Sequence, residues 1–209
     1  MKCTLAAVVA CGMVAAAASA ISSTQLNDFE GGTTEGWSHG GPSPNPPFVV
    51  NEDSNTFLRV VSTGTGGPGS RMAMFNRTGD WLGSYLDAGV TSITFDVRNS
   101  GDTALNVRIG MLNTFGQIGV TNDSMVLGVG SGWVSATLDL TDLTLIGAPD
   151  ADSVLQNVFE LRFLSVEVPA YEGDFIAGSM DLDNIRAVPA PGGAALLGVA
   201  GLAGLRRRR

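Results

Sequence analysis

The chain has 209 residues, with 12 Lys and Arg against 20 Asp and Glu. Between Ile21 and Val188 lie all 20 acids but only seven Arg and no Lys, a net charge of −13, so no basic face exists to neutralise phosphates and nucleic-acid binding is excluded. The only cysteines, Cys3 and Cys11, precede that stretch, so the body has no disulfide and no thiol chemistry. Residues 1–20 place one Lys before an apolar run that closes on the small-x-small triplet Ala18-Ser19-Ala20. This is the layout of a cleaved secretory signal, with the cut between Ala20 and Ile21. The apolar run is about 15 residues, short of the roughly 20 that a spanning helix needs. Val8-Val9-Ala10-Cys11 loosely fits a lipoprotein processing site and stays open as an alternative.

The body, 21–188, is long enough to bury a substantial core without disulfides. Strands are expected at 24–30, 47–51, 56–62, 70–75, 124–128 and 180–188. Four further runs alternate apolar and polar side chains: Ile93 to Val97, Leu105 to Met111, Val134 to Leu140 and Phe159 to Phe163. Period two with one polar face means antiparallel sheets packed on one side. Turn residues separate the runs at Gly64–Gly69, Asn99–Asp102, Gly130–Gly132 and Gly147–Asp150. Only 152–158 reads as a helical turn. Nine or ten short strands at this spacing predict an all-β, two-sheet sandwich.

His39, the only histidine, sits in a Pro/Gly loop and reads as a surface residue. No Gly-x-Ser-x-Gly elbow exists for a Ser-His-Asp triad. Gly64 to Gly69 formally fits G-x-G-x-x-G, but a strand follows rather than a helix N-terminus, so it is a turn. Glu172-Gly-Asp174 begins like the Glu-x-Asp-x-x-Glu strand of some jelly-roll glucanases, yet Ala177 fills the closing position. An enzyme is therefore not expected. Exposed Trp and Tyr rings stack on the apolar faces of sugars. Trp81 and Tyr85, in a polar Gly-rich segment, and Trp133, which shares a strand face with Ser135, Thr137 and Asp139, are the candidate sugar-binding residues. Trp37 is assigned to the core.

Two resemblances add to this reading. The body opens with Asp28-Phe29-Glu30-Gly31 and Gly36-Trp37 and closes with Asp181-Leu182-Asp183-Asn184-Ile185. That pairing resembles the galactose-binding-like jelly rolls, which include many carbohydrate-binding modules. The resemblance implies a structural Ca²⁺ where the first and last strands meet, with Glu30 and Asp183 as ligands. The loop 51–55 would add Asp53 or Glu52, in keeping with the oxygen-rich shell calcium takes.

The tail reads Val188-Pro189-Ala190-Pro191-Gly192-Gly193, then twelve apolar residues, then Arg206 to Arg209. This order resembles the PEP-CTERM sorting signal of bacterial surface proteins, without the Glu between the prolines. It implies an exosortase-type processing enzyme acting near Pro189 and Pro191. A Gly-Gly tail read by a rhomboid-like protease is the alternative. Twelve residues of helix reach about 18 Å against a hydrocarbon core of roughly 30 Å, so membrane insertion would be strained and transient. The arginines would stay cytoplasmic. The functional expectation is a secreted, surface-sorted domain that binds extracellular polysaccharide. A structural matrix or adhesion protein without a ligand site, and a glycan-active hydrolase, are the alternatives.

Overall fold

The computed structural model describes residues 20–39 and 42–190. The expected signal segment up to Ser19, with Cys3 and Cys11, and the tail from Pro191 onward lie outside the described residues. The first sheet contains β1 (Leu26–Asn27), β3 (Phe48–Glu52), β4 (Asn55–Thr63), β6 (Val90–Asn99), β10 (Val134–Asp139) and β13 (Ala177–Pro189). Its order is β10-β6-β13-β4-β3, with β1 also on β13. The second contains β2 (Trp37–Ser38), β5 (Ala73–Asn76), β7 (Leu105–Asn113), β8 (Ile118–Thr121), β9 (Met125–Leu127), β11 (Leu143–Ile146) and β12 (Val158–Ser165). Its order is β11-β8-β7-β12-β5-β2, with β9 on β7. Every pairing is antiparallel. The short helix α1 (Ala151–Leu155) and one 3₁₀ turn (Gly79–Trp81) are the helical elements among the described residues. None of these helices is long and apolar enough to cross a membrane.

The expected all-β sandwich is what forms, and its cause is visible in β6. Ile93, Phe95 and Val97 are buried between the sheets, while Thr94, Asp96 and Arg98 alternate to the other side. Across the core Phe95 meets Phe163 edge-on at 4.8 Å, and Trp37 lies 5.4 Å from Phe163. Each such ring contributes roughly 1.5–3 kcal/mol of transfer free energy. Three strands were not foreseen: β2, β8 and β11. They have two to four residues each, too short for alternation to show.

The central strand β13 lies between β4 and β6 and carries a bulge. Asp183 pairs with Asp96, but the next partner of β6 Thr94 is Arg186. Asn184 takes φ +49° to accommodate the extra residue. Its amide side chain donates to Asp96 at 2.9 Å, so Asp183 and Asn184 both serve the outer face.

Trp81 and Tyr85 are fully buried, which corrects their assignment as sugar-binding residues. Trp81 donates its indole N–H to Asn27 Oδ1 at 2.6 Å, and Trp37 donates to the same oxygen at 2.9 Å. Tyr85 donates its hydroxyl to the Trp81 carbonyl at 3.0 Å. Buried aromatics with satisfied polar tips are core, whatever the polarity of their sequence neighbours. Ile21 is also buried, and its amide donates to Leu82 O at 2.8 Å, while Ala20 is exposed. Pro189 ends β13 and is exposed.

Candidate functional site

The outer face of the first sheet forms a cleft of about 460 Å³. The β3–β4 hairpin supplies Glu52, Asp53, Asn55 and Phe57. Strand β6 supplies Asp96 and Arg98, the β13 bulge Asp183 and Asn184, and the residue before β10 is Trp133. The hairpin turns tightly because Asp53 and Ser54 both adopt positive φ, at 52° and 68°. Asp-type residues tolerate this region, and Ser is less common there.

The floor is built on one buried carboxylate. Asp181, fully buried, accepts Arg59 Nε at 2.6 Å and Nη2 at 2.8 Å, and Arg98 Nε at 2.7 Å. Arg98 also pairs with Glu52. The same guanidinium lies over Phe57 at 4.8 Å and over Trp133 at 5.0 Å. Phe57 and Trp133 meet edge-on at 5.2 Å. Phe57 is itself buried and braces the Trp133 ring together with the Arg98 guanidinium, so the accessible apolar surface is that of Trp133, which keeps 37% of its area exposed. Around it, Ser135 donates to Asp96 and Asn55 donates to Asp183 at 3.2 Å. The arrangement offers apolar ring surface beside fixed donors and acceptors, which suits a polyhydroxylated ligand.

Trp133, Asp53 and Asp183, expected from the sequence, all line this cleft. Phe57, Asp96, Arg98 and Asn184 were not foreseen. Phe57 shares parity with Arg59 in β4 yet is buried, packed against Trp133 and the Arg98 guanidinium, and no pattern within β4 marks it. His39 is half-buried rather than on the surface, with Nδ1 3.1 Å from Ser43 Oγ.

Burial raises the Asp183 carboxyl above the ordinary range, and the charges of Asp96 and Glu30 push the same way, against hydrogen bonds from the Asn184 amide and Asn55. The folded state therefore favours protonated Asp183. That stability is complete below the ordinary carboxylate range and is lost as pH rises through the raised value. Asp183→Asn should raise the melting temperature at neutral pH in chelator and leave it unchanged below about pH 3.5. An Asp183→Asn protein that melts lower at neutral pH contradicts this.

Glu30 Oε1 accepts the Thr56 amide at 3.2 Å. One oxygen of the Glu35 carboxyl, Oε2, is buried with no hydrogen-bond partner among the described residues; burial raises this carboxyl, and the charges of Asp28 and Asp183 push the same way, against a hydrogen bond from Asn27. Ionising both Asp183 and Glu35 here is therefore opposed by burial and by neighbouring carboxylates. Among the described residues, no three Asp, Glu, His or Cys side chains converge as a metal-holding group. A calcium ion there would need backbone and amide oxygens as well.

Two antiparallel sheets packed face to face, with a cleft on the outer side of one, make a jelly-roll sandwich. The chain is similar to the family 11 carbohydrate-binding module of a cellulosomal cellulase from Clostridium thermocellum, with a TM-score of 0.54 and 17% identity over 81% of this chain and 96% of that one. The same kind of module from Clostridium thermocellum, in complex with a β-1,3-1,4-mixed-linked tetrasaccharide, matches at TM-score 0.54 and 20% identity over 82% and 98%. A family 28 module described as specific for non-crystalline cellulose matches at 0.51 and 18% over 81% and 94%. An exo-β-agarase matches at 0.58 and 14%, over 81% of this chain but only 25% of the enzyme. No protein-family model and no curated protein matches the chain. The fold is a carbohydrate-binding-module-like jelly roll.

Proposed function

We propose that this chain is an exported, non-catalytic domain that binds extracellular polysaccharide in the cleft on its first sheet. The observation that carries the reading is the half-exposed Trp133 ring, fixed beside Phe57 and Arg98 over polar neighbours. Sugar C–H faces stack on Trp133, while Arg98, Asp96, Glu52 and Asn184 hold hydroxyls. Losing one such ring removes about 1.5–3 kcal/mol of contact, or tenfold to a hundredfold in affinity. Affinity electrophoresis of the full-length protein in mixed-linkage β-glucan tests this. Trp133→Ala should lose retardation while still unfolding in a single cooperative transition, with a melting temperature only a few degrees lower. Binding to no neutral glycan would instead favour a matrix protein without a ligand site.

We further propose that Ca²⁺ neutralises Glu30 and Asp183, with Asp53 at the cleft rim a weaker candidate. A cation bound only by the folded state stabilises by about 2.7 kcal/mol at a hundredfold excess over Kd. Millimolar calcium against chelator should raise the melting temperature by roughly 5 °C, and Asp183→Asn should abolish that difference while Asp102→Ala should not. Coincident melting curves would exclude the ion. For the ends, we propose cleavage after Ala20 and exosortase-type processing near Pro189 and Pro191, following transient membrane insertion. Intact mass from the native host should show a start at Ile21 and no Arg206–Arg209; a mature species retaining the arginines rules the tail processing out.

A further inference from the structure

We infer that the opposite face of the sandwich holds a second site, for an anionic polysaccharide carrying carboxylate or sulfate groups. The two faces differ in charge. The cleft of the first sheet is lined by four carboxylates and one guanidinium. On the second sheet a groove of about 170 Å³ is lined by His39, Pro68, Arg71, Phe75, Arg162 and Gly173, among others; its two guanidiniums face the groove while their carboxylate partners, Glu172 and Glu160, stand outside the lining.

Both guanidiniums are fixed in place. Arg162 Nε and Nη2 donate to the fully buried Glu160 at 3.0 and 2.6 Å, its Nη1 donates to Tyr171 O at 3.0 Å, and its plane lies 4.0 Å from the Tyr171 ring. Arg77 closes the other side of Glu160 at 2.6 Å and covers Phe75 at 4.5 Å. Arg71 is the accessible member, with 37% of its side chain exposed. It donates to Gly173 O at 2.7 Å and lies over Phe175 at 3.7 Å. A side chain at Gly173 would place its Cβ 2.2 Å from Met72 O, so only glycine lets this loop lie close enough to hold Arg71. The counter-ion of Arg71 is Glu172 at 2.8 Å, itself 67% exposed. Such a pair is weakly held, and a ligand carboxylate or sulfate can take its place. His39 Nε2 is buried in the groove lining without a hydrogen-bond partner among the described residues. Burial lowers the basicity of its ring, so it serves as a neutral hydrogen-bonding group.

The class of polyanion follows from charge spacing. Duplex nucleic acid carries one charge per ~1.7 Å and needs a broad basic footprint, which a body of net charge −13 lacks. An acidic glycan presents single charges separated by apolar sugar faces. Those match two guanidiniums, Arg71 and Arg162, set beside the Phe75 and Phe175 rings, of which Arg71 has the exchangeable partner. Because this site shares no residue with the Trp133 cleft, it stands or falls independently of it.

The test measures binding of full-length protein to an oligogalacturonate and to a sulfated galactan oligosaccharide, at low and at physiological ionic strength. Arg71→Met, which keeps the packing stem, should weaken anionic binding about tenfold. Glu172→Gln should tighten it, because the internal competitor loses its charge. Both variants should bind neutral β-glucan as the parent does, and Trp133→Ala should leave anionic binding intact. Retention of one probe alone assigns carboxylate or sulfate as the recognised group. Failure of the parent to bind either probe at low salt overturns the proposal, as does loss of anionic binding in Trp133→Ala with none in Arg71→Met. Should Arg71→Met fold poorly, Glu172→Gln still decides, since weaker or unchanged binding in that variant contradicts the site.

Discussion

Asn27→Ala should destabilise the domain by about 4 kcal/mol, although Asn27 touches no proposed ligand. One buried amide oxygen accepts both Trp37 Nε1 and Trp81 Nε1. Truncation strands two buried indole donors, at roughly 1–3 kcal/mol each, and leaves a small cavity. A domain of this kind has about 5–15 kcal/mol in total, so the loss is a large share. The melting temperature should fall by about 10 °C, at 2–4 °C per kcal/mol for this size. Urea unfolding should show a lower midpoint with an unchanged slope. Replacing Trp37 with Phe in the Asn27→Ala background should recover part of the loss, since one stranded donor disappears. A shift below about 1 kcal/mol would mean that water satisfies both indoles.

The second large effect concerns the floor of the cleft. Arg59→Met with Arg98→Met leaves Asp181, fully buried, without either cation. Breaking a buried ion pair from one side costs about 3–5 kcal/mol, because the stranded charge keeps its desolvation penalty. The arginines themselves are part-exposed, at 26% and 19% of their side chains, so the cost sits with the carboxylate. Adding Asp181→Asn to the double variant should therefore restore most of the stability. It should not restore glycan binding, because Arg98 no longer braces Trp133 and Phe57. Equal stability of the double and triple variants would show that Asp181 is not desolvated as its burial implies.

The fold was legible because alternation is a local signal, and β6, β7 and β10 carry it over several residues; in β12 a bulge between Val158 and Glu160 leaves Phe159 exposed and Glu160 buried, against the alternation expected over Phe159 to Phe163. The cleft was legible only in part. Trp133 could be placed because it extends the exposed parity of β10. Trp81 was misplaced for a physical reason. Its neighbours are polar and Gly-rich, but the partner that makes its burial affordable, Asn27, lies 54 residues away. Asp96 and Asn184 meet through a bulge in β13, and no single-strand pattern announces which residue a bulge turns outward. Arg98 and Asp181 likewise joined only when β6 and β13 became neighbours.

The place of β13 also sets how the domain bears load. The strand runs from Ala177 to Pro189 through the middle of its sheet, bonded to β4 over its first half and to β6 over nearly all of it. Its last residues stay attached, with Pro189 opposite Val90 and the Ala190 amide on Gly89 O. Tension drawn along the strand from Pro189 acts at right angles to the ladder hydrogen bonds. Those bonds are then sheared together rather than unzipped one by one, so a tether at this end pulls against the whole sheet at once.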